Sequence, residues 1–170
     1  MRRGLGLGLI VLCLADPSTV LRAGDSAPGG SKQTGPAPRA PRVEWVEYGI
    51  ALERARDENK HLLIDFYTNW CGWCKKMDRD TYGDSAVAAY LNAHFVVSKV
   101  NAESPQRFKV GEKSVSGIEL ARDFSVQSFP ITWFVRPNGE RIDKLPGYQP
   151  PAQFHKVLQF VHERRYEKSQ

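Results

Sequence analysis

Residues 62–77 read LLIDFYTNWCGWCKKM. With His61 in front, the first half is a near-continuous apolar run, the pattern of a strand covered on both faces. One acid, Asp65, interrupts it. The second half holds Cys71 and Cys74, separated by Gly72 and Trp73, and residues 74–81 are polar and helix-compatible. The stretch therefore predicts a buried strand running directly into a CxxC pair at a helix N-terminus. Disulfide exchange needs one thiolate that attacks and a second thiol near enough to resolve the mixed disulfide. Cys71, at the helix start, gains from unpaired N–H groups and the helix dipole, which favour the anion. Cys74, one turn later, is expected on the same side and more buried. Gly72 has no side chain to obstruct an incoming substrate.

Outward from this motif, helical and extended patterns alternate. Residues 45–59 read as a helix, with Tyr48, Leu52 and Ala55 on one side. Asp84 or Ser85 could cap a helix running to Leu91, and residues 95–100 read as a strand. Residues 101–117 are polar and turn-prone, and residues 118–124 are helix-compatible. A third strand is expected at residues 131–135. Asn138-Gly139 is a hairpin turn signal, so residues 141–145 should pair antiparallel with it. A last helix is expected over residues 151–165, where Phe154, Val157, Leu158 and Val161 form one apolar face. This alternation predicts an α/β layer fold with a mixed β-sheet flanked by helices.

The N-terminus has the form of an export signal. A short positive start, Met1-Arg2-Arg3, precedes an apolar run over residues 5–15, too short to span a bilayer and broken by Asp16 and Pro17. The expected organisation is a signal peptide at residues 1–23, a Pro- and Gly-rich tether at residues 24–41, and a folded domain over residues 42–166. Cys13 would leave with the signal, and Cys71 and Cys74 would be the two cysteines remaining. Such a close pair closes too short a loop to stabilise much as a structural bridge.

The net charge is +5, of which Arg2, Arg3 and Arg22 against Asp16 supply +2. The remainder shows no basic cluster beside stacking aromatics, which argues against nucleic acid as a partner. CxxC also suits zinc, but a structural zinc site needs four ligands. There is no second cysteine pair, and His61, His94, His155 and His162 lack ligand spacing. No metal is expected.

The quoted stretch resembles the thioredoxin superfamily, in particular periplasmic thioredoxin-like proteins such as the C-terminal domain of DsbD. The likeness covers most of residues 44–164. It rests on WCxxCK after a buried strand, Asp65 six residues before Cys71, and Lys99 in the next strand. Phe129-Pro130 ahead of the third strand and Gly147 after the hairpin complete it. The resemblance implies a thioredoxin fold. It makes Cys71 the exposed attacking thiol and Cys74 the resolving one, and makes Asp65 the buried acid that assists proton transfer. Burial in an apolar strand raises a carboxyl pKa, which suits that role. Lys99 would support this acid. Pro130 would be a cis-proline facing the pair, with Phe129, Trp70, Gly72 and Trp73 shaping the substrate groove.

The implied activity is that of an exported thiol-disulfide oxidoreductase that reduces or isomerises disulfides in envelope proteins. It would need no cofactor, work as a monomer, and be re-reduced by a membrane thiol donor. The expected location is the periplasm, or alternatively the extracellular space. The alternative function is a redox-inert binding module or chaperone with a static disulfide. Two departures from the family stand out. Trp73 replaces the proline of ordinary thioredoxin, and the 101–124 stretch is longer, which could give a partner-specific surface.

Overall fold

The computed structural model describes residues 40–168; the predicted signal peptide and most of the predicted tether lie outside them. The chain runs through β1 (Trp45–Val46), α1 (Tyr48–Asp57), β2 (His61–Tyr67), α2 (Gly72–Asp80) and α3 (Ser85–His94). It continues with β3 (Phe95–Asn101), β4 (Arg107–Val110), β5 (Lys113–Ser116) and α4 (Gly117–Asp123). Strands β6 (Ile131–Val135) and β7 (Arg141–Pro146), helix α5 (Pro151–His162) and a 3₁₀ turn at Arg165–Lys168 complete it.

The main sheet has the order β1-β3-β2-β6-β7. β1 and β2 run parallel to β3, whereas β6 is antiparallel to both β2 and β7. This is the mixed sheet of a thioredoxin fold. β2 lies at its centre, and all its residues but Tyr67 are buried. Its side chains alternate between two cores. Leu62, Ile64 and Phe66 enter one, with Ala51 and Ala55 of α1 and Leu120 of α4. Leu63 enters the other, with Met77 of α2, Leu91 of α3 and Phe154 and Leu158 of α5. Asp65 follows Leu63 at the strand period of two, so it shares that second face.

Local sequence explains the boundaries. The Asp84 carboxylate accepts hydrogen bonds from the N–H groups of Ala86 and Val87, capping α3. Ser116 and Glu119 form a reciprocal capping box on α4. Pro151 opens α5 at a position where no intrahelical N–H is needed.

The structure corrects three sequence expectations. The helix expected over residues 45–59 begins only at Tyr48, because Trp45 and Val46 add a short strand beside β3. Residues 107–116, read as turn-prone, form the antiparallel hairpin β4–β5. This hairpin sits tightly on α1: a Cβ on Gly49 would lie 1.8 Å from the Lys109 carbonyl oxygen. Helix α5 stops at His162 rather than residue 165, where the apolar face ends after Val161. Arg164 turns the chain with a φ of 53° and directs Tyr166 back to His61.

Candidate active site

Strand β2 delivers the chain to Cys71, which caps α2 rather than joining it. Cys71 and Cys74 form a disulfide, with Cα atoms 5.3 Å apart. The Cys74 N–H donates a hydrogen bond to Cys71 Sγ at 3.0 Å. Helix N-termini leave such N–H groups without intrahelical partners. Here one is aimed at the sulfur that would carry negative charge once the bond opens. Both cysteines are nearly covered in this oxidised state, at 4% and 3% exposure. The expected contrast between an open Cys71 and a hidden Cys74 is therefore absent. The exposed large apolar groups of the motif are the two tryptophans, Trp70 at 67% and Trp73 at 59%.

Trp70 is fixed at its polar edge, where its Nε1–H donates to both carboxylate oxygens of Glu103 at 3.0 Å. Its ring meets that of Phe129 edge-on, with centroids 6.0 Å apart. The Phe129–Pro130 peptide bond is cis. Gly147, with a φ of 78°, donates its N–H to the Pro130 carbonyl at 2.8 Å and ties the loop after β7 to this segment. A Cβ built on Gly72 meets nothing within 4 Å, so the surface beside the pair is open.

Asp65 is 2% exposed, and its Oδ1 has no hydrogen-bond partner. Sheet register explains its neighbours: it pairs with Lys99 on β3 and with Thr132 on β6. Lys99 Nζ lies 3.9 Å from Asp65 Oδ2 and pairs directly with Asp78. Tyr82 reaches the same place, with its hydroxyl 3.5 Å from Thr132 Oγ1. Burial pushes the Asp65 carboxyl up to about 7, and the Asp78 charge adds to this. The Lys99 ammonium and the Tyr82 hydroxyl oppose it. A carboxyl tuned to neutrality can take and return a proton under working conditions.

Sequence reading missed Asp78 and Tyr82, which lie on α2 and in the turn that follows it. Among the described residues, no three His, Cys, Asp or Glu side chains are placed to hold a metal ion.

The profile of the thioredoxin-like domain family matches residues 48–162. The chain belongs to this family. The chain is 26% identical over 121 residues to "Disulfide bond reductase DsbH" of Chlamydia pneumoniae, covering 70% of each protein. It is 27% identical over 122 residues to "Thiol:disulfide interchange protein DsbD" of Photorhabdus laumondii subsp. laumondii, covering 69% of this chain and 19% of that protein. The chain thus spans about a fifth of the length of this DsbD relative. Among solved structures, a thioredoxin-fold protein from Helicobacter pylori is 29% identical with a TM-score of 0.61, covering 65% of this chain and 73% of that one. This thioredoxin-like protein accordingly groups with thiol-disulfide oxidoreductases and carries a CxxC disulfide at the end of its central strand.

Proposed function

We propose that this thioredoxin-like protein is exported and reduces, or isomerises, disulfides in proteins of the cell envelope. The observation that carries this reading is the Cys74 N–H held 3.0 Å from Cys71 Sγ at the start of α2. That donor lowers the energy of the Cys71 thiolate, which makes it both a competent nucleophile and a good leaving group.

In the forward direction, Cys71 thiolate attacks one sulfur of a substrate disulfide. The Cys71–substrate bond forms as the substrate S–S bond breaks, and the other substrate sulfur leaves as a thiolate and is protonated. Cys74 then loses its proton to Asp65 and attacks Cys71 Sγ; the Cys71–substrate bond breaks, and the second substrate sulfur leaves as a thiolate and is protonated. The substrate gains two electrons and two protons, and the pair ends in the oxidised state described above. Lys99 steadies the Asp65 charge while it lasts. Trp70, Gly72, Trp73, Phe129 and Pro130 form the surface on which the substrate chain rests.

A membrane thiol donor restores the dithiol. The resemblance to the C-terminal domain of DsbD supports that partner. The charged start and apolar run of residues 1–15 support export to the periplasm. The test is insulin reduction in dithiothreitol. Wild-type protein should accelerate precipitation of the insulin chains, and Cys71→Ser should reduce this to the uncatalysed rate. Equal rates for the two proteins would refute the reading.

A further inference from the structure

Trp73 stands where ordinary thioredoxins have a proline, and it is built into a stack. Its ring centroid lies 5.7 Å from that of Tyr148, with the planes inclined at 39°. Lys76 Nζ lies 4.8 Å from the centroid of the Tyr148 ring. Lys76 is in turn paired with Asp80, and the Tyr148 hydroxyl donates to Asp80 Oδ2 at 3.4 Å. Trp73, Lys76 and Asp80 fall at i, i+3 and i+7 along α2, which places them on one face. Tyr148 comes from the loop that Gly147 fastens to Pro130. The residue between the cysteines is therefore braced from two directions.

The opposite flank is also fixed, because Trp70 is tied to Glu103 and packed on Phe129. Two large rings thus flank the disulfide, both more than half exposed. Exposed tryptophans that are already ordered cost little further entropy when a ligand covers them, and such residues dominate binding energy at interfaces. The polar edges of the stack are engaged elsewhere: the Trp70 N–H by Glu103, and the Lys76 ammonium by Asp80. What the two rings offer a ligand is aromatic surface.

Resting on the exchange activity proposed above, we infer that Trp73, held by Tyr148 and Lys76, is a specificity wall. It selects extended polypeptide segments with an aromatic or large apolar side chain next to the attacked cysteine. Tyr148 and Lys76 are positioning residues that act through Trp73.

The test uses two peptides that differ only in the residue after a single cysteine, phenylalanine or serine. The cysteine is joined to thionitrobenzoate through a disulfide. Cys71 thiolate of the pre-reduced protein attacks the peptide sulfur. The Cys71–peptide bond forms, the old S–S bond breaks, and thionitrobenzoate leaves with the electron pair as a coloured anion. Wild type should favour the phenylalanine peptide by about tenfold in second-order rate constant. Trp73→Ala and Tyr148→Ala should each bring the ratio to within about twofold of unity, whatever their absolute rates. Tyr148→Phe, which keeps the ring, should retain the preference. Trp73 is surface-exposed, so its truncation keeps the test usable if Tyr148→Ala does not fold. A wild-type ratio near one, or a tenfold preference surviving in Trp73→Ala, would overturn the inference. Release from both peptides that is unaffected by Cys71→Ser would instead overturn the parent activity and this inference with it.

Discussion

Strand β2 carries two buried ionisable side chains, and their fates differ. At its start, the His61 ring Nε2 is hydrogen-bonded to the Tyr166 hydroxyl at 2.9 Å. Burial lowers its pKa to about 4, helped by the positive charges of Arg164, His162 and Arg136 and opposed by Glu167. Four residues on, Asp65 has an unpartnered Oδ1, and burial raises its pKa to about 7. The same strand and the same physical cause give one group locked in its neutral form and another poised to change. Burial alone does not make a proton-transfer group. The group must also titrate in the working range and keep a free lone pair, and only the end nearer the cysteines meets both conditions.

The sharpest way to break this contrast is Asp65→Asn. Substituted this way, the protein should lose about a hundredfold in the rate of disulfide reduction at pH 7. Any inflection of the wild-type rate near pH 7 should vanish with it. A rate within about twofold of wild type, followed by insulin turbidity across pH 5–9, would leave Asp65 no role in proton transfer.

The same substitution makes a stability prediction whose sign follows from linkage. The folded carboxyl binds its proton more tightly than the unfolded one, so the native state loses stability as pH rises from about 4 to about 7. Above pH 7 the folded protein carries the full penalty, and Asp65→Asn removes it. Urea titrations should show the variant more stable by about 2–4 kcal/mol at pH 8 and nearly unchanged at pH 4. His61 acts with the opposite sense. Its folded pKa is depressed, so stability is lost as pH falls from about 6.5 toward 4. The two slopes oppose each other in wild type, so the Asp65→Asn profile should expose the histidine loss, to which His61 contributes about 1–2 kcal/mol and His94, whose pKa burial also lowers, adds in the same sense.

The smallest effect tests the His61 end directly. Tyr166→Phe removes one half-buried hydrogen bond and should cost about 1 kcal/mol of stability by urea titration. It should leave the insulin-reduction rate unaltered, since His61 lies at the other end of β2 from the disulfide. A marked loss of rate would blur the distinction between the two ends.

Much of this organisation is legible in the sequence, and the gaps have physical reasons. The run from Leu62 to Phe66 announces a strand covered on both faces, and a CxxC directly after it has few other meanings. The hairpin β4–β5 was obscured because only one face of each short strand is apolar. Phe108, Val110 and Val115 pack inward while Arg107, Lys109 and Ser114 face outward. β1 is two residues long and exists only because β3 offers it an edge. Asp78 and Tyr82 read as ordinary polar helix and turn positions. Their importance depends on a parallel register that sets Lys99 opposite Asp65, and no local pattern encodes a register. The bracing of Trp73 by Tyr148 is hidden for the same reason: the two residues are brought together by the loop after β7.

The central claim, that Cys71 and Cys74 cycle, is tested most directly by their reduction potential. Protein equilibrated in graded glutathione buffers, with free thiols counted by mass after alkylation, should pass through one reversible two-electron transition. Its midpoint should fall between about −270 and about −120 mV, the range of working CxxC pairs. A pair that stays fully oxidised throughout, with a potential below about −300 mV, would be a structural bridge and would contradict the account.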